Sequence, residues 1–502
     1  MIHTLAALVL FLLAWAGLRL LCGARFRPVP ALLLDGLISA WCWAVVSLAT
    51  DRLLLGAIIT AFGAIGLALA NDAKYEALRE RLAFSDRAEL LEVVRHPEMY
   101  LPFVGTGIVL GAVAMLTGLV AALEWFEPPL LARWWLCPPL LAAFGLVYFS
   151  LAIRQWLRFL SRVFQSWAPD HVPDTDIPRF GLLACFVIHG TLARFERESR
   201  RAPYAVREIS ASHGTAPARP VILVQLESFF DLNRLNGAWG AVAPNLSRLQ
   251  RRATQFGSFG VPCWGAYTIR TEFAVLTGIE VGKLGLDQYN PYDRFARAPL
   301  DALAWQLRRP GHPALCIHPF DLNFYGRAGV LPKLGFERLI GPKEFSSPKA
   351  GYVTDQAIVD RLAEVLREHP QPSLVFAITI AGHGPWKDLN PAEASKGSGG
   401  MDAYLQAMAR MDDILPQLES LADQHDALLA IYGDHQPSLP KAFASLGFSD
   451  TRTDYLIYDP RDRNESASAA RQQDLAAHEL RPAISRILER VQAGSPATAA
   501  SW

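Results

Sequence analysis

The tripeptide Gly433-Asp434-His435 places a carboxylate and an imidazole directly after an apolar run, residues 427–432, which predicts a buried strand of a parallel sheet. Open α/β sheets bind their ligands at the carboxyl ends of their strands. Three further polar side chains follow predicted strands in the same way: Glu227 after 221–226, His318 after 314–317 and His383 after 374–380. Because these strand ends meet at one sheet edge, the set predicts a metal-assisted phosphoryl- or sulfuryl-transfer site.

Thr268 is the candidate nucleophile. Residues 269–277 predict a helix that ends at Gly278, with Thr268 at its N-cap. An N-cap threonine ordinarily accepts a backbone hydrogen bond, so capping alone would account for it. The same position also offers N–H groups and the positive end of the helix dipole to a phosphate. A nearby divalent cation would lower the pKa of the hydroxyl. Both interpretations stay open.

The segments around the two candidate histidines carry groups suited to a phosphate-bearing polyol. His318 begins a segment that contains Tyr325 and ends at Arg327, whose guanidinium can hold two phosphate oxygens. His383 lies between glycines, which let a substrate approach the backbone closely. A single histidine of this kind is more often structural than catalytic. The prediction therefore depends on the whole set.

Composition places these motifs behind a membrane domain. Of 502 residues, 51% are hydrophobic. Five apolar segments reach the roughly 20 residues that a membrane helix needs: 4–22, 29–50, 53–70, 101–123 and 136–153. The chain has 48 basic and 48 acidic residues, which removes any electrostatic case for nucleic-acid binding. The six cysteines have no zinc-type spacing and are predicted to be free thiols.

We expect four regions along the chain. They are a transmembrane domain (1–157), a juxtamembrane linker (158–204) with an amphipathic helix at 180–192, a catalytic domain (205–492) of alternating strands and helices, and a flexible tail (493–502). Residues 71–100 predict a helix on the membrane surface. Asp35 lies inside the second apolar segment, where a charge is costly, and we expect it to face other helices or an interface.

Residues 205–460 resemble the sulfatase-like domain of the alkaline phosphatase superfamily, in particular the lipoteichoic acid synthase branch with its phosphoglycerol transferases. The resemblance rests on five motifs in order: Val-Gln-Leu-Glu-Ser, Thr-x-x-x-Glu-Phe-x-x-Leu-Thr-Gly, His-x6-Tyr-x-Arg, Gly-His-x-Pro and Gly-Asp-His. It implies about five transmembrane helices followed by an α/β domain with a mixed, mostly parallel central sheet.

The resemblance also implies roles for the candidate residues. Four would bind one divalent cation, Mn2+ or Mg2+: Glu227, Thr268, Asp434 and His435. Thr268 would also be the nucleophile. Four would hold the head group: His318, Tyr325, Arg327 and His383. Tyr325 stands where lipoteichoic acid synthases carry Trp. The implied reaction moves glycerol phosphate from phosphatidylglycerol, or a related phospholipid, through a phosphothreonine-type intermediate to a hydroxyl of a glycan or a glycerol-phosphate chain.

Two arguments about topology disagree. In a five-span arrangement one side carries most basic residues, among them those of 71–100 and Arg25, Arg27, Arg154, Arg158 and Arg162. The positive-inside rule makes that side, and the catalytic domain, cytoplasmic. The resemblance implies a multi-pass protein of the cytoplasmic (inner) membrane with its catalytic domain on the periplasmic or extracellular side. We expect the latter, because acids outnumber bases in 71–100.

Alternatives remain open at this stage. A phosphoethanolamine transferase would share the fold, the metal and the threonine, and a phosphodiesterase would use water as acceptor. A catalytically silent membrane scaffold would keep only the fold, although all four expected ligands are present. Sulfatase activity is disfavoured, because Cys263 is followed by Trp-Gly-Ala-Tyr and lacks the proline of the Cys-x-Pro-x-Arg motif.

Overall fold

The structure is a computed structural model that divides into two compact units, Met1–Glu198 and Ser199–Trp502. It describes residues 2–26, 28–89, 95, 106–131, 136–150, 154–205, 219–235, 240–346, 351–369, 372–384, 386, 400–462 and 471–492. Several predicted features lie outside the described residues: the tail 493–502, much of the second half of the predicted surface helix 71–100, and the start of the predicted catalytic domain at 206–218.

The first unit is helical. Its helices are α1 (Ile2–Leu21), α2 (Val29–Thr50), α3 (Leu53–Leu78), α4 (Thr106–Phe126), α5 (Cys137–Ser150), α6 (Arg154–Ser166), α7 (Pro173–Phe180) and α8 (Leu182–Arg201). In the described part of the chain, α1, α2 and α3 are long and apolar enough to cross a membrane. The apolar stretch of α4, Leu110–Leu123, and the 14-residue helix α5 are shorter. Three of the five predicted spans are therefore confirmed as helices of sufficient length and hydropathy.

The amphipathic segment predicted at 180–192 belongs mainly to α8, which continues to Arg201. Its apolar side chains pack within the first unit. Leu182 and Cys185 pack with Leu18 and Ala68, which lie on α1 and α3. The segment is therefore part of the core of the first unit.

Asp35 of α2 is buried and faces other helices. Its carboxylate forms an ion pair of 2.8 Å with Arg19 of α1 and accepts hydrogen bonds from Nε1 of Trp15 and the backbone N–H of Ala184. Ala184 lies in the first turn of α8, so the acid also complements the positive end of that helix. Gly181 has φ +95°, and a Cβ there would lie 2.3 Å from the Arg19 guanidinium. The ion pair therefore joins α8 to the membrane helices.

Replacing Asp35 with Asn should destabilise the protein strongly. Arg19 would be left as a buried charge without its partner, and breaking such a pair costs about 3–5 kcal/mol of unfolding free energy. Thermal unfolding of detergent-purified protein measures the effect. Asp170→Asn, which changes an exposed carboxylate of the same unit, should leave the midpoint unchanged. Equal midpoints for both variants would contradict the structural role of the pair.

Among the described residues, the second unit has one sheet of eight strands. They are β1 (Val221–Leu226), β2 (Gln255–Gly260), β3 (Ala314–Ile317), β4 (Arg338–Ile340), β5 (Leu374–Ile378), β6 (Leu428–Gly433), β7 (Thr453–Tyr458) and β8 (Leu475–Ala476). Their order is β4-β3-β5-β1-β6-β7-β2-β8. Only the β6–β7 and β7–β2 pairs are antiparallel. The predicted mixed, mostly parallel sheet is confirmed.

Helices pack on both faces of this sheet. They are α9 (Pro244–Arg252), α10 (Thr268–Thr277), α11 (Leu303–Leu307), α12 (Arg327–Val330), α13 (Asp355–Glu368), α14 (Met401–His425), α15 (Pro440–Ser445) and α16 (Leu480–Gln492). Successive side chains of β1 point to opposite faces of the sheet, as the pleat of a strand requires. Ile222 and Val224 lie in one core with Met408 of α14, whereas Leu223 lies in the other with Phe273 of α10. The central strands are therefore mostly apolar, and charged residues appear only where they end; the buried Gln225 of β1 is a polar exception that accepts a hydrogen bond from the Tyr432 hydroxyl.

Candidate active site

Two neighbouring strands position the acidic residues. β1 and β6 are adjacent and parallel, and Leu226 pairs with Gly433 at the last position of the ladder. Glu227 and Asp434 are the next residues of the two strands, so their side chains start from the same point of the sheet edge. His435 follows Asp434, and all three residues are buried. The register thus brings together three of the four predicted metal ligands.

The three side chains form one cluster. One ligand atom from each of Glu227, Asp434 and His435 lies within 4.8 Å of the others. Nε2 of His435 is 3.5 Å from Oε1 of Glu227 and 3.3 Å from Oδ2 of Asp434. Nδ1 of His435 is 2.9 Å from the carbonyl oxygen of Gln436, to which it donates. The lone pair of Nε2 therefore points toward the carboxylates.

The residues of this cluster fit a divalent cation. Oδ1 of Asp434 accepts hydrogen bonds of 2.8 Å from the backbone N–H groups of Ser228 and His435, whereas the buried Oδ2 has no hydrogen-bond partner among the described residues. Burial and the charge of Asp434 raise the pKa of the Glu227 carboxyl. A cation would satisfy the orphaned oxygen and balance the buried charge. Carboxylate and hydroxyl oxygens with one imidazole are ligands of divalent cations.

Thr268 lies beside the cluster as the first residue of α10. Its Oγ1 is 3.4 Å from Nε2 of His435. The sequence placed Thr268 at the N-cap, and this is wrong: Tyr267 occupies that position, with φ +63°. The Arg270 guanidinium lies over the Tyr267 ring and donates from Nε to the carbonyl oxygen of Tyr289. Because Oγ1 of Thr268 is close to Nε2 of His435, the Thr268 hydroxyl faces the candidate metal ligands instead of capping α10.

Backbone strain marks three points of this region. Ser228, Tyr267 and Tyr325 have φ values of +56°, +63° and +58°. Left-handed conformations are unfavourable for such residues and persist where the surrounding structure enforces them. Ser228 is held by Tyr404, whose hydroxyl donates to the Ser228 carbonyl oxygen at 2.7 Å. Ser228 directly follows Glu227, and Tyr267 directly precedes Thr268. The backbone at these two residues therefore fixes the directions of the Glu227 and Thr268 side chains.

Three of the four predicted head-group residues lie together. Nη1 of Arg327 is 3.2 Å from Nε2 of the buried His318, and the Arg327 guanidinium lies 5.6 Å from the centre of the Tyr325 ring. The sequence predicted that the Arg327 guanidinium binds a phosphate through two N–H groups. In the structure these groups bind the Glu272 carboxylate, with Nε at 3.2 Å and Nη2 at 2.9 Å. Burial and the neighbouring guanidinium hold the pKa of His318 well below its usual value.

His383 lies on the loop after β5 and is held from two sides. Its Nδ1 donates to the carbonyl oxygen of Gly384 at 2.6 Å, and its ring contacts the ring of Tyr352. Burial lowers its pKa, although the nearby charge of Asp434 acts in the opposite direction. The carboxylate of Asp355 anchors the same loop by accepting a hydrogen bond from the N–H of Ala381. His383 is thus a neutral imidazole within electrostatic reach of the cluster.

Asp355 gives a pH-dependent prediction. Burial raises its pKa to about 6, above the unfolded value of about 3.9. Its stabilising contribution is therefore present at low pH and lost as the pH rises from about 4 to about 6. Asp355→Asn keeps an acceptor for Ala381 without the charge. We expect it to raise the unfolding free energy by about 2–3 kcal/mol at pH 7.5 and by little at pH 4.

Thermal unfolding at the two pH values measures this effect. Asp360→Asn removes an exposed carboxylate from the same helix, α13, and should change the midpoint little at either pH. Equal midpoints for wild type and Asp355→Asn at pH 7.5 would contradict the raised pKa.

Sequence reasoning missed residues that support the site. Glu272 stands inside the motif Thr-x-x-x-Glu, so its type and spacing were visible, but its pairing with Arg327 was not. Tyr292, whose hydroxyl donates to Glu272 at 2.8 Å, belongs to no motif. Ser228 ends the motif Val-Gln-Leu-Glu-Ser, but nothing in that motif indicated its left-handed backbone, and Asp355 belongs to no motif. Their roles depend on backbone direction and on contacts between distant segments.

The chain is similar to a known protein family and to known proteins. The sulfatase family model matches residues 219–488. The capsular polysaccharide biosynthesis protein RkpI of Rhizobium meliloti (strain 1021) is 32% identical over 405 residues, which cover 77% of this chain and 73% of that protein.

The chain is also similar to solved structures. The phosphoglycerol transferase GacH of Streptococcus pyogenes, in complex with sn-glycerol-1-phosphate, is 17% identical with a TM-score of 0.43, covering 63% of this chain and 87% of that one. The lipoteichoic acid synthase LtaP of Listeria monocytogenes is also 17% identical with a TM-score of 0.43, covering 59% of this chain and 77% of that one.

The family match covers more than half of the chain and includes every strand-end residue of the site, from Glu227 to His435. The sheet, the buried cluster and the threonine at the start of α10 lie within the matched residues. This chain, with three N-terminal helices long and apolar enough to cross a membrane, therefore belongs to the sulfatase family of the alkaline phosphatase superfamily.

Proposed function

We propose that the protein is a metal-dependent membrane phosphoglycerol transferase, which moves glycerol phosphate from phosphatidylglycerol to an acceptor hydroxyl on a glycan or a glycerol-phosphate chain. One observation carries the proposal. The Thr268 hydroxyl lies 3.4 Å from Nε2 of His435, beside the buried cluster and at the N-terminus of α10. A nucleophile, cation ligands and an anion-binding helix end meet there, and each of them favours displacement at phosphorus.

Four residues would hold one divalent cation, Mn2+ or Mg2+: Glu227, Thr268, Asp434 and His435. When bound, such an ion neutralises phosphate charge and lowers the pKa of a coordinated hydroxyl. The backbone N–H groups of the first turn of α10 would orient the phosphate and stabilise the charge that develops on its oxygens.

The chemistry is a double displacement. Oγ1 of Thr268 forms a bond to phosphorus while the bond from phosphorus to the diacylglycerol oxygen breaks. The threonine proton passes through Nε2 of His383 to that oxygen, and diacylglycerol leaves. An acceptor hydroxyl then attacks the phosphothreonine, and its proton returns through His383 to Oγ1. We assign the transfer to His383 because both ring nitrogens of His318 have protein partners, Arg327 and the carbonyl oxygen of Ile378.

The head-group residues favour glycerol over ethanolamine as the group on the phosphate. Arg327 is a donor and a cation, and its Nη1 donates to the lone pair of Nε2 on His318. A glycerol hydroxyl can accept from such donors. An ammonium group carries only donors and offers no acceptor to them. The half-buried ring of Tyr325 offers an apolar face and a hydroxyl to the same head group.

The membrane setting suits a lipid donor. Helices long enough to span a bilayer precede the catalytic unit in the chain. We place the protein in the cytoplasmic (inner) membrane as a multi-pass protein with the catalytic unit on the periplasmic or extracellular side. Cysteine accessibility tests this orientation: a thiol introduced on the exposed face of α13, at Asp360, should react with an impermeant reagent on intact cells.

Diacylglycerol release from two lipids tests the function. Detergent-purified protein is given Mn2+ with either phosphatidylglycerol or phosphatidylethanolamine. We expect release from phosphatidylglycerol alone, slow without an acceptor hydroxyl and faster with one. Release from phosphatidylethanolamine alone would replace the proposed donor. Free glycerol phosphate at a rate that no acceptor increases would identify a phosphodiesterase. If neither lipid releases diacylglycerol although Mn2+ is bound, the result would favour a catalytically silent scaffold.

A further inference from the structure

Glu272 is buried one helical turn after Thr268 on α10, with no exposed surface. Its carboxylate accepts from Nε and Nη2 of Arg327, the latter at 2.9 Å, and from the hydroxyl of Tyr292 at 2.8 Å. These donors come from two segments that the chain separates by tens of residues. Glu272 is thus the point at which both are attached to the helix that carries the candidate nucleophile.

The pairing with Glu272 determines what Arg327 can contact. With Nε and Nη2 engaged, the guanidinium plane is fixed and Nη1 points to Nε2 of His318 at 3.2 Å. Nε2 must then be the acceptor, which leaves the proton on Nδ1, 3.4 Å from the carbonyl oxygen of Ile378. A single carboxylate therefore fixes the orientation of Arg327 and, through it, the tautomer of His318.

The net charge of the Glu272–Arg327 pair determines which chemical groups can bind beside it. Arg327 and Glu272 carry opposite charges and are both buried, so the pair adds little net charge to the site. A phosphate placed on Arg327 would compete with a carboxylate that is already bound to Nε and Nη2, and it would add a buried negative charge. Uncharged hydroxyls add none. The phosphate instead suits the N-terminus of α10 and the metal ligands.

Helix α10 sets the distance between the residue that attacks the phosphate and the residue that positions the head-group site. Thr268 and Glu272 are separated by four residues of one helix, a rise of about 6 Å. The spacing between the attacking oxygen and the groups that hold the head group is thus set by a rigid element, not by a loop.

We infer that Glu272 is a positioning residue, which together with His318 orients Arg327 so that the remaining N–H groups of its guanidinium recognise the uncharged hydroxyls of the head group at a fixed distance from Thr268. This inference rests on the proposed function. It assigns Glu272 neither to the metal nor to the reacting atoms. Loss of Glu272 should therefore weaken head-group binding while the cation remains bound.

Four variants of the full-length protein test the role: Glu272→Gln, Tyr292→Phe, Arg327→Met and the double variant Glu272→Gln/Arg327→Met. Diacylglycerol release gives kcat and KM, and titration with Mn2+ alone gives the metal affinity. For Glu272→Gln we expect KM for phosphatidylglycerol to rise on the order of tenfold or more, with kcat changed less and Mn2+ affinity unchanged. Tyr292→Phe should raise KM less. The double variant should be no worse than Arg327→Met, because the two residues act as a unit.

Several outcomes would overturn the role. One is an unchanged KM in both Glu272→Gln and Tyr292→Phe; another is a loss of Mn2+ binding together with turnover in Glu272→Gln. If Glu272→Gln does not fold, an unchanged KM in folded Tyr292→Phe decides against the inference. Glu280→Gln, an exposed site just beyond the same helix, is the matched control. If wild type uses phosphatidylethanolamine instead, the proposed function fails, but KM for that lipid still measures the effect of Glu272.

Discussion

Asp434→Asn is expected to lose bound Mn2+ and turnover together. Asp434 is fully buried, two backbone N–H groups hold its Oδ1, and its Oδ2 has no hydrogen-bond partner in the described part of the chain. Asn has the same shape but carries no charge, and its amide would direct a donor at the cation. Mn2+ affinity should fall by more than about 100-fold, since even residues that only support a ligand contribute 10–100-fold.

Titration of purified protein with Mn2+, in parallel with diacylglycerol release, measures this effect. Asp412→Asn is the matched control, because Asp412 is also buried and also accepts two backbone N–H hydrogen bonds, from Asn245 and Leu246, away from the cluster. It should keep its metal and its activity if it remains folded. Turnover by metal-free Asp434→Asn would contradict the metal assignment.

Thr268→Ala should lose turnover but keep most of its affinity for Mn2+. The variant retains Glu227, Asp434 and His435 and removes only the hydroxyl near Nε2 of His435. Loss of a nucleophile is among the largest single-residue effects in enzymes, so the rate should fall by about 10³-fold or more. Diacylglycerol release and Mn2+ titration on one preparation separate chemistry from binding.

Two variants serve as controls for this prediction. Thr268→Ser keeps a hydroxyl at the same position and should retain measurable release. Thr277→Val removes the hydroxyl of another buried threonine of α10, which donates to the carbonyl oxygen of Phe273 at the far end of the helix, and should retain activity. Release by Thr268→Ala at the wild-type rate would rule out Thr268 as the nucleophile.

The metal cluster was predictable because its signals are local. Buried parallel strands are apolar throughout, so a charged residue at the end of such a run marks the sheet edge, as Glu227 and Asp434 do. Strand order is not a local property. Nothing in the sequence placed β1 beside β6, and only the observed pairing of Leu226 with Gly433 puts the two carboxylates next to each other.

The details that sequence could not provide involve backbone direction and distant partners. Thr268 was predicted as an N-cap because threonine favours that position, but Tyr267 takes it in a left-handed conformation. Arg327 was assigned to phosphate because its fork suits an anion, and Glu272 supplies the anion instead. Asp35 was expected to face other helices, which is correct, yet its bond to the N–H of Ala184 spans 149 residues.

The intact mass of the protein tests the central proposal most directly. Wild type and Thr268→Ala are mixed with Mn2+ and phosphatidylglycerol in the absence of acceptor, and the reaction is quenched in acid. Mass spectrometry then gives the intact mass, and the modified peptide is sequenced. We predict one glycerol-phosphate adduct on wild type, located at Thr268, and none on the variant. Diacylglycerol release by wild type without any adduct, accompanied by an equal rate in Thr268→Ala, would contradict a covalent threonine intermediate.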